Sequence, residues 1–167
     1  AVALRSILRQ NPDVVMVGET RDKETAEIAI NASLTGHFVL STLHTNDSAS
    51  APTRLIDMGV QPFLISSSLV GVLAQRLVRT LCSACKQRTN LSDFEKVVLD
   101  VEDLPDAATV FKPVGCPKCN GTGYSGRTVV SELLIINDEI RALIIQKVDA
   151  ATIKKAVDRA GMRTLRG

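Results

Sequence analysis

Residues 10–46 read QNPDVVMVGETRDKETAEIAINASLTGHFVLSTLHTN and decide the fold. Within them, Val14–Val17 is a short apolar run bounded by a proline and a glycine, which predicts a buried parallel strand. Residues 38–43 predict the next strand. Between the two strands, Asp22 is expected to cap a helix that ends near Gly36. The order strand, helix, strand predicts an α/β layer.

Polar side chains follow both predicted strands. Glu19 comes directly after the first strand and its glycine, and His44 follows the second strand. If the strands are parallel, both side chains leave from the carboxyl edge of the sheet, where ligands of α/β proteins bind. His37 precedes the second strand and is expected at the opposite edge. A carboxylate such as Glu19 at the first edge can serve phosphoryl transfer, although many buried strands also end in Gly-Glu at an ordinary turn.

Two further helices are predicted beyond this segment. One covers residues 48–58, and Pro62 suits the first turn of a long helix reaching about residue 77. Residues 58–75 contain no charged side chain, but proline, glutamine and three serines interrupt their apolar character. We therefore predict a buried helix there, not a membrane span. A strand over residues 127–136 and two amphipathic helices broken near Asp149 are expected at the end of the chain.

Composition limits the possible partners. Hydrophobic residues make up 45% of the 167 residues and aromatic residues only 3%, with no tryptophan, so the core is expected to be aliphatic. Few aromatic rings are available to stack on bases, and the net charge is only +2, so we expect no nucleic-acid partner. The first residues do not form a signal peptide, and because no methionine starts the chain we expect a piece of a longer protein.

Four cysteines form two CxxC pairs. Cys82 and Cys85 are separated by 30 residues from Cys116 and Cys119. Two such pairs can supply four thiolates to a tetrahedral Zn²⁺, and a site with four protein ligands is structural, not catalytic. The alternatives are four free thiols or two disulfides. A capping box at Ser92 and Glu95 predicts a small helix between the two pairs.

Three segments carry a resemblance to a known family. They are RQNPDVVMVGETRDKETAEIAI at 9–30, TGHFVLSTLHTND at 35–47 and RLIDMGVQPFLISSSLVGVLAQRLVRTLC at 54–82. The first two resemble the Walker B and His boxes of the type II secretion and type IV pilus ATPases, and the likeness continues through the tetracysteine segment. It covers essentially the whole chain. The serine-rich part of the third segment, ISSSLVGVLAQRLVR, is more similar to the secretion ATPases than to the pilus-assembly ones.

The resemblance implies roles for particular residues. Glu19 matches the Walker B glutamate and His44 the histidine that faces the γ-phosphate, so these two are the expected catalytic residues. The expected nucleotide-binding residues are Gly18, Arg21, Asp22 and Arg76, the last being near either nucleotide or a neighbouring subunit. Thr20 stands where the family most often has isoleucine, and we expect little consequence.

One part of the family's site does not occur in this sequence. No Gly-x4-Gly-Lys-Ser/Thr is found, and none of the ten glycines is followed by lysine. Such a loop supplies most phosphate contacts through its backbone N–H groups and its lysine. The resemblance implies that this loop and a second catalytic carboxylate lie upstream. We therefore expect an ATPase in the full-length protein and no activity from these 167 residues alone.

The resemblance also implies an architecture. We predict an α/β protein with the C-terminal part of a RecA-like ATPase domain at 1–81, a tetracysteine zinc-binding subdomain at 82–127, and a C-terminal strand and helical region at 128–167.

The implied function is a cytoplasmic motor, peripheral at the inner membrane, that uses ATP and Mg²⁺ to drive type II secretion by pseudopilus assembly. The expected partners are other copies in a hexameric ring and inner-membrane secretion-platform proteins. For the basic C-terminal helices we expect a solvated face, and the alternative is contact with a neighbouring subunit or with acidic phospholipids. The alternatives are a type IV pilus assembly ATPase and a non-catalytic zinc-containing module that docks other proteins.

Overall fold

The structure is a computed structural model that describes residues 2–99 and 109–165. It contains two compact units, one formed by Ala1–Arg76 with Ser131–Gly167 and the other by Leu77–Val130. The predicted zinc subdomain lies within the second unit. Residues 100–108 of that subdomain and residues 166–167 of the predicted C-terminal region lie outside the described residues.

Helices and strands alternate along the first part of the chain. In chain order the elements are α1 (Val2–Leu8), β1 (Val14–Val17), α2 (Lys23–Leu34), β2 (Phe38–Ser41), α3 (Ser50–Asp57), α4 (Pro62–Ser68), β3 (Gly71–Leu81), β4 (Gln87–Thr89), α5 (Asp93–Leu99), β5 (Val110–Lys112), a 3-10 turn (Pro117–Cys119), β6 (Tyr124–Ile135), α6 (Asp138–Ile145) and α7 (Ala150–Arg159).

The decisive segment folds as its sequence predicts. β1 and β2 pair in parallel, with Val14 opposite Phe38 and Val17 opposite Ser41. The crossover between them is α2, whose first turn is capped by Asp22, because the Asp22 carboxylate accepts a hydrogen bond from the Thr25 N–H at 2.8 Å. This parallel pair fixes which side chains leave from the same sheet edge.

The expected burial of β1 is only half right. Val15 is 3% exposed, but its neighbours Val14 and Met16 are 57% and 74% exposed. Phe38 and Leu40 of β2 are exposed as well. The physical reason is that successive side chains of a strand point to opposite faces: among the described residues β1 and β2 form a two-stranded sheet, and only one of its faces is covered by a packed layer.

The core of the first unit joins residues that are distant in the sequence. As predicted, it is aliphatic, since helices α2, α4, α6 and α7 contribute alanine, isoleucine and valine side chains around the end of β6. Its buried members are Ala26, Ile30, Ala49, Val60, Ile65, Leu134, Ile136, Ile140, Ile144, Ile153, Ala156 and Val157. Packing of this kind is the main stabilising contribution to the unit.

The long helix predicted from Pro62 to residue 77 is wrong. Pro62 does begin a helix, but α4 ends at Ser68 and the chain continues as β3. The hydroxyls of Ser66, Ser67 and Ser68 donate to carbonyls one turn back, which competes with helix propagation. The valines on either side of Gly71 favour a strand. Across the described residues, no helix combines the length and the apolar character that a membrane span requires.

The second unit contains the short elements β4, α5, β5 and the 3-10 turn. β4 and β5 pair antiparallel, and β3 pairs with β6. The predicted capping box begins α5, because the Ser92 N–H donates to Glu95 at 2.8 Å and the Glu95 N–H donates back to the Ser92 hydroxyl at 3.3 Å. Both reciprocal bonds of the motif are therefore present.

A buried carboxylate lies in β6. Glu132 is 5% exposed and accepts three hydrogen bonds, from the N–H of Ser48 at 2.6 Å, the hydroxyl of Ser48 at 2.8 Å and the N–H of Leu165 at 2.8 Å. Burial by itself would raise the pKa of Glu132, but the donors of Ser48 and Leu165 outweigh burial and lower that pKa below its usual value.

This arrangement predicts a specific acid sensitivity. Because the folded pKa of Glu132 is depressed, the ionised side chain stabilises the fold above the unfolded pKa of about 4.3, and that stabilisation is lost as pH falls through the folded pKa. Glu132→Gln should cost about 1–3 kcal/mol near neutral pH and flatten the stability curve below pH ~5. Thermal unfolding of both proteins across this pH range measures the effect, and parallel curves would contradict it.

Candidate active site and metal centre

Glu19 and His44 meet at the carboxyl edge of the parallel strands. Their backbones leave β1 and β2 at the same end, and His44 Nε2 lies 2.8 Å from Glu19 Oε1. His37 lies at the other end of β2, in the turn after α2. Its Nδ1 is 3.0 Å from the carbonyl oxygen of Ala32, a residue of α2. The structure therefore brings together the predicted pair and leaves His37 in a structural turn.

Each carboxylate oxygen of Glu19 has a partner at this edge. Arg21 binds Glu19 Oε2, while His44 binds the other oxygen. The hydrogen bond and the charge of Arg21, together with His44, lower the pKa of Glu19 and outweigh its partial desolvation. Glu19 is consequently an anion at neutral pH, which suits holding a cation's water or orienting a nucleophilic water better than accepting a proton.

The backbone that carries Glu19 is fixed to the end of β2. The Thr20 N–H donates to the Thr42 carbonyl at 2.9 Å, and the Thr42 hydroxyl donates to the Gly18 carbonyl at 2.6 Å. Thr20 is buried, and its hydroxyl is 2.8 Å from the Ser41 hydroxyl. The threonine that departs from the family pattern therefore has a hydrogen-bonding partner at its buried position.

Asp22 and Arg76 have contacts outside the pair. The Asp22 carboxylate caps α2, and the N–H and hydroxyl of Thr25 lower its pKa. Arg76 of β3 donates to the Asn46 carbonyl at 2.6 Å, in the loop just after His44. The structure places Asp22 as a capping residue and Arg76 as a support of the loop that follows His44, and the Gly18 carbonyl oxygen accepts a hydrogen bond from the Thr42 hydroxyl.

A pocket of about 270 Å³ opens beside the pair, lined by Glu19, Thr20, Arg21, Leu43, His44 and Arg54. Arg54 was missed by the sequence analysis. It lies on α3, where an arginine on an amphipathic helix resembles any solvated surface residue. Arg54 and Glu19 line the same pocket although they are distant in the sequence, and no local pattern reports that they meet.

The four cysteines of the second unit converge on one point. All four Sγ atoms lie within 4.8 Å of one another, with 4.0 Å between Cys82 and Cys116, 3.8 Å between Cys85 and Cys119, and 3.7 Å between Cys116 and Cys119. These separations exceed a disulfide bond of about 2.05 Å. They agree with four thiolates at about 2.3 Å from a tetrahedral zinc ion, which lie about 3.8 Å apart.

The donors around the cluster also suit a metal. Burial opposes ionisation of the Cys119 thiol, but the N–H groups of Cys116 and Gly123, each 3.2 Å from its Sγ, lower its pKa to about 6. Burial raises the pKa of Cys85 to about 11. Gly123 has φ +76°, and a Cβ there would lie 2.5 Å from Pro113 Cβ. The turn that follows the Cys116–Cys119 pair therefore requires glycine. The cluster fits zinc by its donor set and its spacing.

Comparison with known proteins places the chain in a family. The family described as type II/IV secretion system protein matches residues 1–167. The chain is 55% identical to the type II secretion system protein HxcR of Pseudomonas aeruginosa, over 99% of this chain and 32% of the relative. It is 51% identical to the type IV pilus assembly ATPase PilB of Thermus thermophilus, over 99% of this chain and 19% of the relative.

A solved structure has the same fold. The crystal structure of the pilus retraction motor PilT with bound ADP matches 99% of this chain and 36% of that chain, with a TM-score of 0.62 and 28% sequence identity. The predicted RecA-like α/β fold class is confirmed by this likeness. The chain spans about a third or less of the length of the curated relatives named above.

Proposed function

Because this chain belongs to the type II/IV secretion system protein family, we propose that it is part of a motor ATPase whose hydrolysis of ATP drives type II protein secretion by pseudopilus assembly. The observation that carries the proposal is the 2.8 Å contact between Glu19 and His44 at the carboxyl edge of parallel strands. This edge is where an α/β nucleotide-binding sheet binds its ligand.

Glu19 and His44 have complementary roles in the proposal. Glu19 orients the attacking water or holds a water of the Mg²⁺ ion, and His44 donates a hydrogen bond to the γ-phosphate. In the structure, both Glu19 oxygens are engaged, one by His44 and one by Arg21. When His44 turns its Nε2–H toward a phosphate oxygen, Glu19 Oε1 becomes free to accept a hydrogen bond from water. The exposed His44 side chain, 89% accessible, has room for this movement.

The remaining predicted residues support this edge. Arg21 keeps Glu19 ionised, and Asp22 fixes the first turn of α2. The Gly18 carbonyl accepts a hydrogen bond from the Thr42 hydroxyl. Arg76 holds the loop that follows His44. Phosphate binding by backbone N–H groups and a lysine would come from residues of the full-length protein outside this sequence, which contains no Gly-x4-Gly-Lys-Ser/Thr.

The zinc ion has a structural role in the proposal. Cys82, Cys85, Cys116 and Cys119 would hold Zn²⁺ and fold the second unit. The whole protein is proposed to form a hexameric ring in the cytoplasm at the inner membrane. There it would contact secretion-platform proteins, and its basic C-terminal helices would face acidic phospholipids.

A pilus-assembly function is a second candidate, since one of the relatives is a type IV pilus assembly ATPase. A non-catalytic, zinc-containing docking module is the third. Deleting the gene separates the first two: secreted proteins should accumulate inside the cell under the secretion proposal, and pili should be lost under the pilus one.

The proposal predicts different behaviour for the chain and the full-length protein. The full-length protein should hydrolyse ATP in the presence of Mg²⁺. The 167 residues alone should show no sub-micromolar binding of Mg-ATP in a calorimetric titration, because they lack the phosphate loop. Tight binding by the isolated chain would contradict the proposal that these residues form only one half of the nucleotide site. A folded full-length protein without ATPase activity would favour the docking module.

A further inference from the structure

The buried carboxylate of Glu132 is connected to the candidate active site through Ser48. Glu132 is the one charged side chain that is buried among residues 2–99 and 109–165. Within the described ranges, its donors are Ser48 and the backbone N–H of Leu165, and none of them is a basic side chain. A buried charge is costly, and an apolar residue of similar volume often packs as well or better. What Glu132 adds, and an apolar residue would not, is therefore to hold the two segments that donate to it in fixed positions.

The first of these segments is the histidine loop, defined here as residues 44–48. Its far end is Ser48, which is completely buried and donates to Glu132 from both its N–H and its hydroxyl. Its middle is held by Arg76, which donates to the Asn46 carbonyl, and by the Thr45 hydroxyl, which donates to the Asp47 carbonyl at 3.0 Å. The loop is thus attached to the body of the first unit at Ser48 and at Asn46, while the Thr45 hydrogen bond braces it internally.

The near end of the loop is His44, whose side chain is 89% exposed. Packing contributes little to the placement of so exposed a ring, so its position depends on the backbone that carries it. That backbone is anchored by Ser48, four residues further along the chain. A shift of Ser48 would move His44 relative to Glu19, and displacement by about 1 Å at a reacting group can cost on the order of 100-fold in rate.

We propose that Glu132 is a positioning residue for His44, acting through its hydrogen bonds to Ser48, and that the segment containing Leu165 is coupled to the histidine loop through the same carboxylate. This rests on the proposed function, since it assumes that His44 faces the γ-phosphate. Glu132 itself does not touch nucleotide. It sets the geometry of the loop that does, and the Leu165 N–H completes its hydrogen bonding from the end of the described chain.

A double-mutant cycle in the full-length protein tests this role. Glu132→Gln should lower kcat for ATP hydrolysis about 10- to 100-fold with KM for ATP nearly unchanged. In a His44→Ala background the same change should cost less than about 2-fold, because the residue acts through His44. Glu139→Gln, at an exposed carboxylate 3.5 Å from Arg159, is the matched control and should keep wild-type kcat.

The result that overturns the role is an equal loss of kcat from Glu132→Gln in both backgrounds, or wild-type kcat in the folded variant. If Glu132→Gln does not fold by circular dichroism, Ser48→Ala replaces it in the same cycle, with an expected loss of about 3-fold, because it keeps the backbone N–H bond. An equal loss from Ser48→Ala in both backgrounds, or none, overturns the role in the same way.

Hydrogen exchange separates this inference from the proposed function. In the full-length protein, amides of residues 45–48 should exchange at least about 10-fold faster in Glu132→Gln or Ser48→Ala than in Glu139→Gln. Unchanged exchange in this loop overturns the inference even if the protein hydrolyses ATP. If the wild-type protein has no ATPase activity, the proposed function fails, and with it the role of Glu132 toward His44, whatever the exchange shows.

Discussion

Glu19→Gln in the full-length protein is expected to lower kcat for ATP hydrolysis by about 10²–10⁴-fold. The change keeps the size of the side chain and removes the negative charge that, in the proposed function, orients water or the hydrated metal ion. The charge matters because Arg21 and His44 hold Glu19 as an anion, with its pKa below the usual value. Steady-state ATPase measurements at saturating Mg-ATP give the number, and KM should change much less than kcat.

The control for this substitution lies in the same strand–helix segment. Glu24→Gln changes an exposed carboxylate whose ion pair with Arg5, at 2.9 Å, lies away from the Glu19–His44 pair, so kcat should stay close to wild type. A Glu19→Gln protein that folds normally and retains kcat within about 2-fold would remove Glu19 from the catalytic role. Equal losses in both variants would point to a general effect of charge removal instead.

Cys119→Ser is expected to abolish zinc binding and unfold the second unit while the first unit stays folded. Zinc binding by small cysteine sites supplies about 10–16 kcal/mol of apparent free energy, and folding of such modules depends on it. Cys119 is buried, and the N–H groups of Cys116 and Gly123 lie 3.2 Å from its Sγ, so its loss removes a well-supported ligand of the expected zinc site. Elemental analysis should give one zinc per wild-type chain and well under one in the variant.

Unfolding in this experiment is located by proteolysis. Cleavage sites within residues 77–130 should become accessible in Cys119→Ser or after chelation, and residues 1–76 should remain protected. Ser83→Ala, a neighbouring exposed position between two of the ligands, is the control and should retain zinc. Freshly reduced wild-type protein with no zinc and an intact second unit would show that the four thiols need no metal.

The sequence predicted the meeting of Glu19 and His44 at one sheet edge because the relevant patterns are short. An apolar run ending in glycine, a capping aspartate and a second strand flanked by histidines determine the parallel pair, and with it the meeting of Glu19 and His44. The cysteine cluster was predictable for the same reason, since CxxC spacing constrains geometry locally. In each case, the chemistry follows from residues adjacent in sequence to a predictable element.

The rest could not be predicted because it depends on contacts between distant segments. Ser48 and Glu132 are 84 positions apart, and nothing in either local pattern pairs a serine before a helix with a glutamate inside a strand. Arg54 likewise lines the pocket beside Glu19, a residue distant from it in the sequence. The mistaken helix after Pro62 has a different cause: serine hydroxyls ended it, and an apolar run of this length does not by itself distinguish helix from strand.

The most direct test of the central claim is a structure of the full-length protein with Mg²⁺ and a non-hydrolysable ATP analogue. We expect His44 Nε2 to lie within about 3.2 Å of a γ-phosphate oxygen. We also expect Glu19 to lie within hydrogen-bond reach of a water that is next to that phosphate or bound to the metal. A nucleotide bound with its γ-phosphate far from both residues, more than about 10 Å away, would contradict the assignment of this strand edge as half of the hydrolysis site.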